Sequence, residues 1–168
     1  MSAIRPLLLT GGPAVGKTAT ARALAESTVR CAYIDVDDVR QLVKSGHAAP
    51  WDGAEGRAQH RLGVRNAAAL AANLRADGFD VTMSDVIDAE LLRLYRDLVP
   101  DVAVIRLVIT VEMARARART RRVHLTDQEF ESLHRQQLAP LDTDSDLDVS
   151  GLTLHAQIAA VRAAWLRI

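Results

Sequence analysis

The chain has 168 residues, of which 49% are apolar and 25% charged, a composition typical of one globular domain and unlike that of disordered or fibrous proteins. Its 21 basic and 21 acidic residues balance, so no global positive field favours nucleic acid or an anionic membrane as a partner. Because Cys31 is the single cysteine, intramolecular disulfides and multi-cysteine zinc sites are excluded, and we expect one cytoplasmic domain over 1–168, monomeric or homodimeric and without a membrane segment.

Short apolar runs alternate with helical patterns along the whole chain. We predict strands over 4–10, 31–36, 79–83, 102–109 and 147–149. We predict helices over 18–27, 39–43, 54–76, 89–98, 111–122, 127–138 and 153–167, with 54–76 the longest. The second to fourth strands are apolar on both faces, so the alternation indicates a parallel sheet covered by helices on both sides.

The segment between the first strand and the first helix fits the phosphate-loop pattern G-x-x-x-x-G-K-[S/T]. It reads Gly11-Gly12-Pro13-Ala14-Val15-Gly16-Lys17-Thr18. In such a loop, backbone amides and the positive end of the helix dipole surround a phosphate chain. Lys17 would reach the β- and γ-phosphates of a nucleotide, and the Thr18 hydroxyl would take one Mg²⁺ position.

Carboxylates follow the second and third strands, at the edge where an open α/β sheet binds its ligands. After the second strand, Asp35 and Asp37 share one side if the strand extends that far. Either could be the general base, and we favour Asp37. Helix capping is the alternative role there, and Asp38 is the predicted cap. Asp85 after the third strand is a candidate Mg²⁺ ligand or a plain turn residue, and Asp88 is a predicted helix N-cap.

The ordered set of Gly11 to Thr18, Asp37-Asp38-Val39-Arg40-Gln41, Ser84-Asp85 and an arginine-rich segment after the fourth strand resembles a known family. It is similar to the small P-loop phosphotransferases of the zeta-toxin-like group, which includes chloramphenicol phosphotransferase-like enzymes and phage-type polynucleotide kinases. The resemblance implies a three-layer P-loop NTPase fold, like that of nucleoside monophosphate kinases. Its five-stranded parallel sheet would have the order 2-3-1-4-5, with a helical lid over about 112–138.

The resemblance also implies roles for individual residues. Asp37 would be the general base, Arg40 a substrate or phosphate contact, and Asp85 an active-site carboxylate. We expect Asp35 to bind the substrate together with Arg40. In the arginine-rich segment, Arg117 and Arg121 are spaced from the fourth strand as lid arginines are in the family, and they would neutralise charge on the transferring phosphoryl group. Arg119 is the reserve candidate, and a solvated basic helix is the alternative.

These patterns favour an ATP- and Mg²⁺-dependent phosphotransferase that acts on a hydroxyl of a small molecule, such as an antibiotic, a nucleoside or another metabolite. The acceptor is expected near 38–66. Two alternatives stay open: a 5′-hydroxyl polynucleotide kinase, which the zero net charge disfavours, and a nucleotide-binding regulatory ATPase. The five histidines show no metal-ligand spacing, and we expect them at the surface or in packing contacts.

Overall fold

The computed structural model describes residues 4–119 and 126–168. Within these residues the strands are β1 (Leu7–Gly11), β2 (Cys31–Asp35), β3 (Asp80–Ser84), β4 (Ala103–Val108) and β5 (Ser145–Asp148). The helices are α1 (Lys17–Glu26), α2 (Val36–Arg40), α3 (Gly53–Ala76), α4 (Ala89–Leu98), α5 (Val111–Ala118), α6 (Asp127–Gln136) and α7 (Leu154–Trp165). Of these helices α3 is the longest, as predicted, and none is long and apolar enough to cross a membrane.

The five strands form one sheet in the order β2-β3-β1-β4-β5, and every neighbouring pair is parallel. This confirms the predicted fold class and strand order. The central strand β1 is buried along its whole length. The outer strand β2 is mostly half-buried, yet helices cover both of its faces, because Ile34 belongs to one core and Cys31 and Tyr33 pack against the other. Because the strands are parallel, the segments that follow β1, β2 and β3 meet at one edge of the sheet.

Two apolar cores lie on the two faces of the sheet. Side chains alternate along β1, so Leu8 faces one core while Leu7 and Leu9 face the other. The Leu8 core is covered by α2, α3 and α4, and the opposite core by α1, α5, α6 and α7. The result is a three-layer α/β arrangement whose ligand-binding edge is open to both helical layers.

The junction of β2 and α2 differs from our prediction. The strand ends at Asp35, and α2 begins at Val36, three residues earlier than predicted. Asp35 is the N-cap, because its Oδ1 accepts a hydrogen bond from the Asp37 amide at 3.0 Å. The predicted cap at Asp38 is therefore wrong. Asp35 and Asp37 do not share a strand face, since Asp37 lies in the first turn of the helix.

The N-caps of the later helices agree better with the sequence. Asp88 caps α4 as predicted, with its Oδ1 accepting from the Leu91 amide at 2.9 Å. Thr110, Thr126 and Thr153 cap α5, α6 and α7 through their hydroxyl groups. Asp88, Thr110 and Thr153 thus cap the helices that follow β3, β4 and β5.

Candidate active site

The backbone of the loop between β1 and α1 requires glycine at two positions. Gly11 and Gly16 have φ values of 142° and 93°, a region that other residues rarely adopt. A Cβ on Gly11 would overlap the carbonyl oxygen of Leu107, and one on Gly16 would lie 2.9 Å from Nε2 of Gln157. The two outer glycines of the predicted phosphate loop are therefore required by backbone conformation and by close approach.

Gln157 of α7 supports this loop from the buried side. Its Nε2 donates to the Val15 carbonyl and to the Thr20 hydroxyl, both at 2.9 Å, and the residue is 1% exposed. The sequence analysis did not select Gln157. The available signal was a lone amide on the apolar face of the last helix, which by itself does not indicate what the amide binds.

Lys17 lies at the centre of the loop. Its Nζ donates to the carbonyl oxygens of Gly11 and Gly12, both at 2.9 Å. The N-cap of α1 is Gly16, which provides no side-chain cap; α3 also lacks one, whereas α2, α4, α5, α6 and α7 each have one. An ammonium group beside uncapped amides at the positive end of a helix dipole suits an anionic ligand such as a phosphate chain.

A hydrogen-bonded network joins α1 to the ends of β2 and β3. The Thr18 hydroxyl contacts Oδ2 of Asp35 at 3.4 Å, and the Tyr33 hydroxyl donates to the same oxygen at 2.9 Å. Tyr33 Oη also lies 2.7 Å from Oγ of Ser84. Burial raises the pKa of Tyr33 to about 12, so the hydroxyl stays protonated as a donor at neutral pH. Burial also raises the pKa of Asp35. The hydrogen bond from Tyr33 lowers this pKa, and the negative charge of Asp37 raises it further.

Asp37 and Arg40 form an ion pair on the exposed side of α2. The Asp37 side chain is 56% exposed, whereas that of Arg40 is only 12% exposed. The stem of Arg40 lies against α3 at Gly63, where a Cβ would lie 2.5 Å from its Cγ. Its Nε is buried and has no hydrogen-bond partner among the described residues. The structure thus brings together the predicted base and the predicted substrate contact.

Asp85 is enclosed at the end of β3. Its Oδ1 accepts from the Val86 amide at 2.8 Å and lies 3.0 Å from Nε2 of His60, and its Oδ2 accepts from the Tyr95 hydroxyl at 2.9 Å. The Asp85 side chain is not exposed to solvent. Direct Mg²⁺ binding by Asp85 stays a prediction, and it would require the carboxylate to give up these hydrogen bonds. In the described parts of the chain, no group of three or more His, Cys, Asp or Glu side chains is placed to hold a metal ion.

Arg117 of α5 connects the phosphate loop to the turn between β5 and α7. Its Nη1 donates to the Val15 carbonyl and to Oε1 of Gln157, both at 3.2 Å. Its Nη2 donates to the carbonyl oxygens of Val149 and Leu152, both at 2.9 Å. Contact between Arg117 and a transferring phosphoryl group stays a prediction, and the observed contacts favour a positioning role.

The other arginines of this segment have different surroundings. Arg121, the second predicted lid arginine, lies outside the described residues. Arg119 is the C-cap of α5 and is exposed. Arg115 pairs with Glu131 of α6, so an ion pair joins the two helices that flank 120–125.

A cavity of about 490 Å³ lies between α5 and α6, at the ends of β4 and β5. Thr110, Arg115 and His134 are among its lining residues, and the described lining includes no residue of 11–18. His134 connects the cavity to the phosphate loop, because a Cβ on Gly12 would lie 3.4 Å from its Nδ1. The cavity is thus a neighbour of the loop and is not formed by it.

Several solved kinase structures share this architecture over nearly the whole chain. A sugar kinase from Janibacter sp. HTCC2649 has a TM-score of 0.74 at 17% identity, covering 98% of this chain and 95% of that one. The chain has the fold of P-loop kinases. A shikimate kinase from Bacteroides thetaiotaomicron (TM-score 0.67, 16% identity) covers 99% of this chain and 100% of its own. A gluconokinase from Sinorhizobium meliloti 1021 (TM-score 0.65, 19% identity) covers 97% and 92%. No protein-family model and no curated protein matches the sequence.

Proposed function

We propose that the protein is an ATP- and Mg²⁺-dependent phosphotransferase that moves the γ-phosphoryl group of ATP to a hydroxyl of a small molecule. The observation that carries this proposal is the hydrogen-bonded chain at one edge of the sheet, in which Thr18, the residue after Lys17, contacts Asp35, and Asp35 accepts from the amide of Asp37. The fold shared with solved sugar, gluconate and shikimate kinases supports it.

The nucleotide side of the site fits a phosphate chain and its metal ion. The loop amides and Lys17 would bind the β- and γ-phosphates, and Mg²⁺ when bound neutralises negative charge on these groups. The Thr18 hydroxyl and the Asp35 carboxylate are neighbouring oxygen donors of the kind that Mg²⁺ prefers. We therefore place Asp35 on the metal side of the site, where the sequence analysis had assigned it to the substrate. Asp85 would act by positioning its two buried partners.

The acceptor side is the start of α2. As the acceptor oxygen forms its bond to the γ-phosphorus, the bond from that phosphorus to the β-γ bridging oxygen breaks and ADP leaves. The proton of the acceptor hydroxyl passes to the Asp37 carboxylate, which is exposed enough to meet a substrate. Arg40 holds Asp37 in place, and its buried Nε is a further donor for the acceptor or the phosphoryl group.

Arg117 would hold the nucleotide side in shape. By donating to the loop at Val15 and to the turn carbonyls of Val149 and Leu152, it fixes the distance between these two segments. The turn at 149–153 resembles the loop that holds the adenine base in small P-loop kinases, and we place the base there. The four hydrogen bonds support Arg117 as a residue that positions the nucleotide site, with Arg121 kept as the lid candidate.

The test is transfer from γ-labelled ATP to a panel of sugars, sugar acids, nucleosides, antibiotics and a 5′-hydroxyl oligonucleotide, with each product identified by mass. We expect label on a small-molecule hydroxyl, lost in Lys17→Ala and retained in Lys44→Ala, which removes the exposed second lysine of the chain. ATP hydrolysis without a labelled acceptor would instead support a regulatory ATPase. Label on the oligonucleotide alone would support a nucleic-acid kinase.

A further inference from the structure

The end of α6 carries two buried polar atoms that lack hydrogen-bond partners. These are Nδ1 of His134, a residue only 6% exposed, and Oε1 of Gln137, the C-cap of the helix. In the described part of the chain, the only other such side-chain atom is Nε of Arg40. Buried polar atoms in folded proteins are nearly always hydrogen-bonded, so unpaired ones at a candidate active site indicate groups that bind a ligand.

Both side chains lie against the phosphate loop. A Cβ on Gly12 would be 3.4 Å from Nδ1 of His134 and 3.8 Å from Cβ of Gln137. The carbonyl of the same glycine accepts a hydrogen bond from Lys17 at 2.9 Å. The end of α6 is therefore next to the part of the loop that holds the phosphate-binding lysine.

Gln137 also reaches the segment that follows β3. Its Nε2 donates to the carbonyl of Ile87 at 3.2 Å, and the Ile87 amide donates to Oγ1 of Thr10 at 3.3 Å. Ile87 comes two residues after Asp85, so Gln137 lies where β1 and β3 end. This is the edge of the sheet at which the proposed acceptor side begins.

The chemistry of the Gln137 amide restricts what can bind there. Because Nε2 is the atom that faces the Ile87 carbonyl, the opposite rotamer would place two acceptor oxygens against each other. Oε1 is thus fixed as an acceptor that needs a donor. A hydroxyl can donate to it, whereas a carboxylate or a phosphate can only accept.

His134 is compatible with the same ligand. Burial lowers the pKa of His134, and the opposing effect of the negative charge of Glu112 is smaller. The ring is therefore neutral at pH 7. A hydroxyl complements either neutral tautomer, because it both donates and accepts. The positive charge of Arg40 across the edge is already matched by Asp37, so that pair does not by itself call for an anionic substrate.

We propose that His134 and Gln137 form an uncharged wall of the acceptor site, and that the acceptor is a neutral polyhydroxyl compound, a sugar or polyol, that donates a hydroxyl hydrogen bond to Gln137. This inference rests on the proposed function and deepens it. A sugar acid whose carboxylate faced this wall would bind less well, because a carboxylate cannot donate a hydrogen bond to Gln137.

The test compares neutral and acidic acceptors that differ only by a carboxylate in place of a hydroxymethyl group: glycerol with glycerate, glucitol with gluconate, and glucose with glucuronate, each with the full chain. We expect the neutral member of a pair to be preferred by roughly tenfold or more in kcat/KM, because a site that pairs with a hydroxyl rejects analogues that leave its polar atoms unpaired. A preference for the acids would overturn the inference.

Variants test the residues themselves. Gln137→Met keeps the length of the side chain and removes the acceptor, so the acceptor KM should rise roughly tenfold while the affinity for ATP, measured without acceptor, is unchanged. Gln137→Asn should be intermediate, and His134→Phe should also raise KM. Gln136→Met, an exposed neighbour, is the matched control and should behave like the parent. Thermal unfolding checks that each variant is folded.

The outcomes separate the two proposals. If no hydroxyl compound is phosphorylated, the proposed function fails and this inference fails with it. If the parent transfers phosphate but Gln137→Met has the parent's KM, or Gln136→Met shows the same rise, only the inference fails. A rise confined to Gln137 and His134, with neutral acceptors preferred, supports both.

Discussion

The buried Asp85 carboxylate gives the sharpest test of how the site is built, because two roles predict opposite results for Asp85→Asn. As a positioning residue, Asp85 accepts hydrogen bonds from the Val86 amide and Tyr95 hydroxyl and contacts His60 Nε2. As a Mg²⁺ ligand, it would be a buried negative charge that destabilises the protein when the metal ion is absent. The substitution keeps the shape of the side chain and replaces one acceptor oxygen with a donor.

The size of the effect follows from the hydrogen bonds. If Oδ1 keeps its contacts, the new Nδ2 faces the Tyr95 hydroxyl, and a hydrogen bond to a charged group worth about 1.5–3 kcal/mol is lost. For a domain of this size, each kcal/mol lowers Tm by about 2–4 °C, so a fall of roughly 3–12 °C is expected. Tyr95→Phe removes one donor from the same carboxylate and is the matched variant, with a fall of similar or smaller size.

The assay is thermal unfolding of parent and variants, each with and without Mg²⁺ and ADP. For the positioning role, Tm falls in all conditions and the additional stabilisation by Mg²⁺ and ADP persists. The reasoning is refuted if Asp85→Asn raises Tm in the absence of the metal and abolishes the stabilisation by Mg²⁺. That pattern would restore the direct metal contact predicted from the sequence.

Three further substitutions test the remaining groups. Asp37→Asn removes the proposed proton acceptor, so single-turnover transfer should fall by roughly 10² to 10⁴ with little change in ATP affinity; an unchanged rate would move the base elsewhere. Asp35→Asn should raise Tm at pH 7, since burial raises the pKa of Asp35 and disfavours its ionised form. This gain in Tm should shrink as the pH falls through the pKa of Asp35. A lower Tm of the variant at pH 7 would contradict the prediction. Arg117→Ala should weaken ATP binding roughly tenfold through loss of its four contacts, whereas a slower transfer step at unchanged affinity would support the lid role instead.

The position of the loop at 11–18 between β1 and α1 could be predicted from the sequence because its information is local. The glycines, Lys17 and Thr18 lie within eight consecutive residues between one strand and one helix, and alternation of apolar runs was enough to predict the parallel sheet. The predicted start of α2 was wrong because the segment 35–38 contains three aspartates, and each of them can cap a helix. Asp35 is the cap because the chain turns into α2 directly after β2, at Val36.

Long-range partners could not be predicted in the same way. His60 is 25 residues from Asp85, Arg117 is 102 residues from the Val15 carbonyl, and Gln157 is 142 residues from it. Each partner is one polar residue on a helix, a pattern that fits a solvated side chain or a buried one equally well. Their roles depend on which helix faces which segment, and that is settled only when the two cores on the sheet are formed.

The proposed acceptor side, at the start of α2, depends on tertiary packing in the same way. Arg40 can lie across α3 only because residue 63 is glycine, and it is this placement that leaves Nε buried at the edge of the sheet while the same guanidinium group pairs with Asp37. A helix-favouring residue at 63 would gain about 1 kcal/mol of helix propensity, yet its Cβ would displace the arginine stem. Gly63 therefore lowers the helix propensity of α3, but it leaves room for Arg40 to lie beside Asp37, the proposed base. The proposed acceptor site thus depends on how α2 packs on α3.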